Sequence, residues 1–183
     1  MNVKTDVRIS TGFMKIHRSI YEHNGVEVER EYWNKGDCVA IVPISDQNEI
    51  FLTRQPRIGI QNAYSVEIPA GYCEPKHQNK PLNAAKAELR EEIGCSPEQC
   101  AWHYLGYVIL DPDKIRCKVH LYLALHAKVT LNQELDEGEL VEYFSMPFSE
   151  AVKIMEDYED ERLSDAPSII GITRAERLLR DLL

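Results

Sequence analysis

The chain has 183 residues, 44% of them hydrophobic and 28% charged, which suits one soluble globular domain with a proper core and room for an extra arm. Its net charge of −9 argues against non-specific nucleic-acid binding, which relies on Lys and Arg to neutralise phosphates, but leaves room for a small anionic ligand held through a metal. Five cysteines (Cys38, Cys73, Cys95, Cys100 and Cys117), an odd number with no CxxC pair, argue against a disulfide framework and a zinc site. They predict reduced, mostly packed thiols in a cytoplasmic protein. The N-terminal MNVKTDVRIS lacks the apolar stretch of a signal peptide, and no apolar run reaches the ~18 residues of a membrane span.

In chain order, FMKIHRSIYE and VEVEREYW flank HNG, and Asn-Gly between two such runs predicts a β-hairpin. GDCVAIVPI is a short apolar run bounded by turn residues, the pattern of a buried strand. EIFLTRQ and YSVEIPAG follow as strands, the second ended by Pro69 and Gly71. A helix is predicted from about Pro81 to Ile93, with Pro81 in its first turn and Gly94 as its C-terminal stop. WHYLGYVIL, KVHLYLALHAKV and VEYFSM read as further strands, and PFSEAVKIMEDYE as a helix. PSIIGITRAERLLRDLL closes the chain as an amphipathic helix, with Ile172, Ala175, Leu178, Leu179 and Leu182 at helical spacing. This order predicts an α/β or α+β fold, a mixed sheet packed between helices with an N-terminal β-hairpin arm. The arm is placed at 1–35 and the main domain at 36–183.

The predicted helix carries Glu88, Glu91 and Glu92 within KAELREEIGC. Residues three and four apart share a helix face, so the three carboxylates can converge. Leu82, Ala85, Leu89 and Ile93 form a separate apolar stripe, which puts the carboxylates beside the buried face rather than in it. Like charges at this spacing destabilise a bare helix by a few tenths of a kcal/mol per pair. One reading is a solvated acidic face with Lys86 and Arg90 as loose partners; the other is a divalent-cation site, since Mg²⁺ and its relatives take carboxylate oxygens and share them with substrate phosphates.

The segment GYCEPKHQNKPLNAAKAELREEIGC resembles the Nudix box. Gly71 matches the first glycine, and Glu88, Leu89, Glu91, Glu92 and Gly94 match the second half in register, with Cys95 in the last apolar slot. Two positions depart from the pattern. Ala87 stands where the family has arginine, and His77 stands in the slot of the isolated glutamate, in a loop two residues longer than the pattern that keeps Glu74 and Pro75. The flanks TRQPRIG, SVEIPAG, VHLYLAL and LDEGELVEYFSMPFSEA resemble the corresponding segments of ADP-ribose pyrophosphatase-type Nudix enzymes, so the likeness runs from about Met14 to Leu182.

The resemblance implies metal-dependent hydrolysis of the diphosphate of a nucleoside diphosphate sugar, ADP-ribose foremost, giving AMP and ribose 5-phosphate. It implies Mg²⁺ or Mn²⁺, held by Glu88 and Glu92 directly, with Glu91 on a second ion or its waters and the carbonyl of Ala70 as a backbone ligand. Arg57 is expected on the diphosphate, a role suited to its planar donor fork. A loop acid acts as base or late ligand; Glu137 and Glu139 are both candidates, beside Asp136, with Gly138 as a flexible joint. Asp111 and Asp113 are outside candidates, and Cys117 occupies a position where relatives keep a glutamate. His77 is expected to be a solvent-exposed loop histidine or a replacement for the missing glutamate. Trp33, with Tyr32, either packs or stacks on a nucleobase across a homodimer built by the arm. Ala87 implies a weaker enzyme or a substitute cation, Lys86 and Arg90 being the neighbours on offer. The alternative to an active enzyme is a Nudix-fold sensor that binds a nucleotide without turning it over.

Overall fold

The computed structural model describes residues 3–10, 15–57, 59, 64–157 and 159–182. The chain forms two compact units: residues up to Asp37 with Ile109–Lys118, and Cys38–Val108 with the rest of the chain from Val119.

The first unit is a four-stranded sheet of β1 (Val3–Ser10), β2 (Lys15–His23), β3 (Val26–Asn34) and β9 (Ile115–Arg116), in that order. The Asn-Gly turn joins β2 to β3 as predicted, with both Asn24 and Gly25 at positive φ, which matches the right-handed twist of the flanking strands. β1 was not foreseen; it adds antiparallel to β2 and makes the hairpin a three-stranded meander before β9 joins in parallel.

The second unit is built on a mixed sheet. Its main path runs β11 (Glu142–Pro147), β5 (Glu49–Pro56), β4 (Cys38–Ile44), β10 (Val119–Leu125), β8 (Ala101–Val108). β4 and β10 are parallel; the other pairs are antiparallel. All seven residues of β4 are buried, the reason its sequence is one unbroken apolar run. On one face lies α1 (Pro81–Ile93), whose Ala84, Ala85, Leu89 and Ile93 pack with Val39, Ile41, Tyr122 and Ala124. Complete burial of Leu89 and Ile93 contributes roughly 2–3 kcal/mol each. On the other face lies α3 (Ala166–Leu182), pressed so close that a Cβ on Gly171 would stand 3.0 Å from Ile68 and 3.3 Å from Val42. α2 (Phe148–Glu156) follows β11 and buries Phe148, Ala151, Val152 and Ile154.

YSVEIPAG does not form one strand. β4 and β5 pair only at their turn end, Ile44 with Ile50, and then diverge. The segment enters this gap and changes partner midway: β6 (Tyr64–Glu67) pairs with β5, and β7 (Ala70–Tyr72) pairs with β4. Pro69 lies at the crossing, its carbonyl accepting from the Ile41 N–H at 2.9 Å. Gly71 is therefore the middle of a strand and not its end. This wedge brings Ala70 and Gly71 against α1.

Candidate active site

α1 is terminated as its sequence predicts. Gly94 adopts φ 71°, donates its N–H to the Arg90 and Leu89 carbonyls, and leaves no room for a Cβ against the Leu131 carbonyl. Its own carbonyl accepts from Thr130 and Leu131, and the Gln133 side chain reaches the Glu92 carbonyl at 2.6 Å. The last turn of the helix is thereby tied to the segment that leads into the acidic loop 136–139.

Glu92 is 5% exposed, so it lies within the buried face of α1, not beside it. The apolar stripe stops short of Glu92 because the wedge supplies a polar partner there: the Ala70 N–H donates to Glu92 Oε2 at 3.0 Å. Glu88, one helical turn earlier, lies directly over Gly71. A Cβ on residue 71 would overlap its carboxylate, so glycine is required at this point of β7 for packing and not for φ. Glu91 is half-buried. Among the described residues none of these three carboxylates has an ion-pair partner.

The electrostatic cost is concentrated on two of them. Burial, then the nearby charges of Glu91 and Glu139, pushes Glu88 up to about 7, with Lys76 opposing. Burial, then Glu88, pushes Glu92 up to about 8, with the Ala70 hydrogen bond and Arg57 opposing. Glu92, buried, and Glu88, half-buried, have raised pKa values and no ion-pair partner among the described residues, which makes a hard-oxygen site short of positive charge. Among the described residues no group of three or more His, Cys, Asp or Glu side chains is placed so that it could hold a metal ion. Two carboxylates alone would leave most positions of a hard divalent ion to waters or substrate oxygens.

The other predicted residues fall as follows. Arg57 is turned to Glu67 of β6 in a two-pronged pair, Nε to Oε1 at 2.9 Å and Nη2 to Oε2 at 2.5 Å, while its charge also reaches Glu92 and Asp165. In the acidic loop, Glu139 accepts from the Asp136 N–H at 3.0 Å, and its charge bears on both Glu88 and Glu92; Glu137 is exposed on the same loop. Arg90 forms its ion pair with Glu134, at 2.9 Å on the exposed side of the helix, and its charge also reaches Glu91. His77 is not solvent-exposed: it is 6% exposed, with Nδ1 accepting from the Glu74 N–H and Nε2 without a hydrogen-bond partner among the described residues. Glu74, given no role from the sequence, stands near Glu88 and pairs with Lys76 at 3.0 Å. The signal for it was the retained Glu-Pro of the loop.

Trp33, Asp111, Asp113 and Cys117 belong to the first unit. Trp33 lies in β3, with the Lys35 ammonium 5.8 Å from its ring centre and its indole N–H buried without a partner among the described residues. None of the five cysteines is in a disulfide, and among the described residues no helix is long and apolar enough to cross a membrane.

The chain is 29% identical over 172 residues to a methanol dehydrogenase activator of Bacillus methanolicus, covering 93% of this chain and 89% of that protein. It is 31% identical over 137 residues to an ADP-ribose pyrophosphatase of Bacillus subtilis (strain 168), covering 74% and 71%. A solved structure of an ADP compounds hydrolase superposes with a TM-score of 0.81 at 20% identity, covering 98% of this chain and 93% of that one, a likeness of fold. The NUDIX domain profile matches residues 34–166, a span that holds the wedge, the glutamate helix and the acidic loop. The chain belongs to the NUDIX domain family and is a Nudix hydrolase.

Proposed function

We propose that the protein hydrolyses the diphosphate of a nucleoside diphosphate sugar, ADP-ribose foremost, with Mg²⁺ or Mn²⁺ bound at Glu88 and Glu92. The observation that carries this reading is the pair itself: half-buried Glu88 over Gly71 and buried Glu92 on the Ala70 N–H, neither in an ion pair among the described residues. A divalent ion held there would supply the charge that a diphosphate needs neutralised and would lower the pKa of an attacking water. Glu88 and Glu92 hold it, and the β7 backbone at Ala70 fixes Glu92. The carbonyl of Ala70 is retained as a further ligand, and Glu91 as the carboxylate for a second ion or its waters. Of the loop acids, Glu139 is the better candidate for the base, because its charge is the one felt at both glutamates. Arg57 holds Glu67 and keeps a positive charge near Glu92, a position from which it serves the diphosphate.

The first unit is proposed as the dimerisation element, with Trp33 at or near the interface, and the protein as cytoplasmic and without nucleic-acid partners. One observation favours the second reading, nucleotide sensing without turnover: Ala87 supplies no brace for the glutamates, and Arg90 is committed to Glu134. Release of AMP from ADP-ribose in Mg²⁺ or Mn²⁺, compared with Glu92→Gln, separates the two. Turnover lost in the variant establishes the enzyme; equal inactivity of both over a broad panel of nucleotide sugars overturns it.

A further inference from the structure

The acidic loop is fastened to α1 by a side chain that lies outside the set of carboxylates. Gln133 is half-buried at the start of the loop, and its amide nitrogen donates to two backbone carbonyls, that of Glu92 at 2.6 Å and that of Val141 at 3.2 Å. Carbonyl oxygens only accept, so the nitrogen and not the oxygen of the amide must face them, and its two hydrogens serve one carbonyl each. The Glu92 carbonyl belongs to the last turn of α1, where carbonyls lack partners within the helix. Val141 is buried and directly precedes β11. Residues 134–140 run between these two anchors, and all of them except Leu135 are exposed.

The two limbs of the loop are held differently. The outgoing limb has contacts of its own: the Glu134 N–H donates to the Glu91 carbonyl at 2.9 Å, and the Glu134 carboxylate pairs with Arg90. The tip is a tight turn. The Glu139 N–H donates to the Asp136 carbonyl at 3.1 Å, the Asp136 N–H donates to Glu139 Oε2 at 3.0 Å, and Gly138 takes φ 90° in the third position of the turn, where glycine is favoured. These bonds fix Glu139 on the tip but not the tip on the helix. The tie between the returning limb and α1 runs through Gln133, whose nitrogen is shared by the Val141 and Glu92 carbonyls.

Glu139 stands two positions before Val141, and its charge is felt at both Glu88 and Glu92. A carboxylate on an exposed loop beside a glycine has many positions open to it, and closing both ends of the loop with one amide removes much of that freedom. The position matters because a base must come within hydrogen-bond reach of the water it activates, and misplacement by about 1 Å costs of order 100-fold in rate.

We propose that Gln133 is a positioning residue of the reaction: its amide clasps both ends of the acidic loop to the last turn of α1 and so holds Glu139 at the glutamates. This rests on the reading of Glu139 as the base of a hydrolytic site. Two duties are thereby separated in the chain. α1 and β7 hold the metal ligands, and Gln133, which touches neither metal nor substrate, sets the base.

Gln133→Met keeps the volume and removes both donors, and two measurements on it test the clasp. Amide hydrogen exchange followed by NMR should show the Asp136 and Glu139 N–H groups exchanging at least about 10-fold faster than in wild type. With ADP-ribose and Mg²⁺, kcat should fall about 10- to 100-fold while KM and Mg²⁺ affinity stay within about threefold, because the clasp bears on the base and not on the ligands. In a Glu139→Gln background the same substitution should cost nothing further. Gln133→Asn, one methylene too short to span both carbonyls, should behave alike and takes the place of the Met variant if that one melts below the assay temperature. Unchanged exchange in a folded variant overturns the clasp whatever the turnover. Unchanged kcat, or an equal loss of kcat with and without Glu139, overturns the positioning role. A wild type that releases no AMP sinks the proposed activity, and the clasp is then decided by the exchange rates alone.

Discussion

Replacing Gly71 with alanine tests the packing of Glu88 without touching a metal ligand. The three atoms nearest the new Cβ would all belong to the Glu88 carboxylate, the farthest of them 2.5 Å away, whereas ordinary contact begins at 3.4 Å. Glu88 must retreat by about 1 Å or more, and misplacement on that scale costs activity of order 100-fold. The fold should not suffer, because a carboxylate at the end of a flexible side chain can swing aside and the φ of residue 71 lies outside the left-handed region. Alanine in a strand even gains roughly 0.5–1 kcal/mol over glycine. The expected outcome is a melting temperature equal to or a few degrees above wild type, with kcat/KM for ADP-ribose down about 100-fold. Shortening the clashing group in a Gly71→Ala, Glu88→Asp double variant should cost less than the sum of the two single losses. Activity retained within a few-fold, or lost only together with stability, would refute the reasoning.

Glu92→Gln keeps an acceptor for the Ala70 N–H and removes a buried charge, so the metal-free variant should melt higher than wild type near pH 8 while losing the stabilisation that Mg²⁺ or Mn²⁺ gives. In the metal-free protein Glu88 and Glu92 titrate at about 7 and about 8, above the ordinary 4.5. Between those limits the folded state holds protons that the unfolded chain has released. Stability is therefore greatest at the acid end and lost as pH rises through the window, which denaturant midpoints against pH should show and Glu92→Gln should flatten at its upper end. Metal binding expels the same protons, so affinity should climb with pH up to about 8, with proton release seen by calorimetry in buffers of different ionisation heat. Arg57→Ala leaves the Glu67 carboxylate, whose side chain is 10% exposed, without its two-pronged partner. With Arg57 itself half-exposed, the expected cost is about 1–3 kcal/mol by urea unfolding, and lysine should not restore it.

Much of the fold is written in local patterns. Asn-Gly specifies its hairpin, the apolar run of β4 its double burial, and the Pro81–Gly94 frame the limits of α1. What stayed hidden depends on partners distant in the chain. YSVEIPAG reads as one strand because nothing local says that β4 and β5 diverge and that each half will find a different neighbour. Glu92 looks like a flank of the apolar stripe until the Ala70 N–H, 22 positions away, gives it a reason to be inside. Arg90 looks available to the glutamates until Glu134 takes it. On β8 Leu105 and Gly106 together oppose Leu121 of β10, a bulge whose one local sign is a glycine inside a strand pattern.

The parallel pairing of β4 with β10 has a consequence for how the molecule comes into being. Cys38 aligns with Val119, so the central strand has no neighbour on that side until most of the chain has been made. Contacts between such distant positions carry a large loop-closure cost before they are rewarded, which slows folding. α1 and its glutamates leave the ribosome before β10 does, and the face that must bury Leu89 and Ile93 is unfinished at that moment. Leu89 and Ile93 therefore reach their full burial only once the strand from Val119 has joined the sheet, the last part of the core to close over α1.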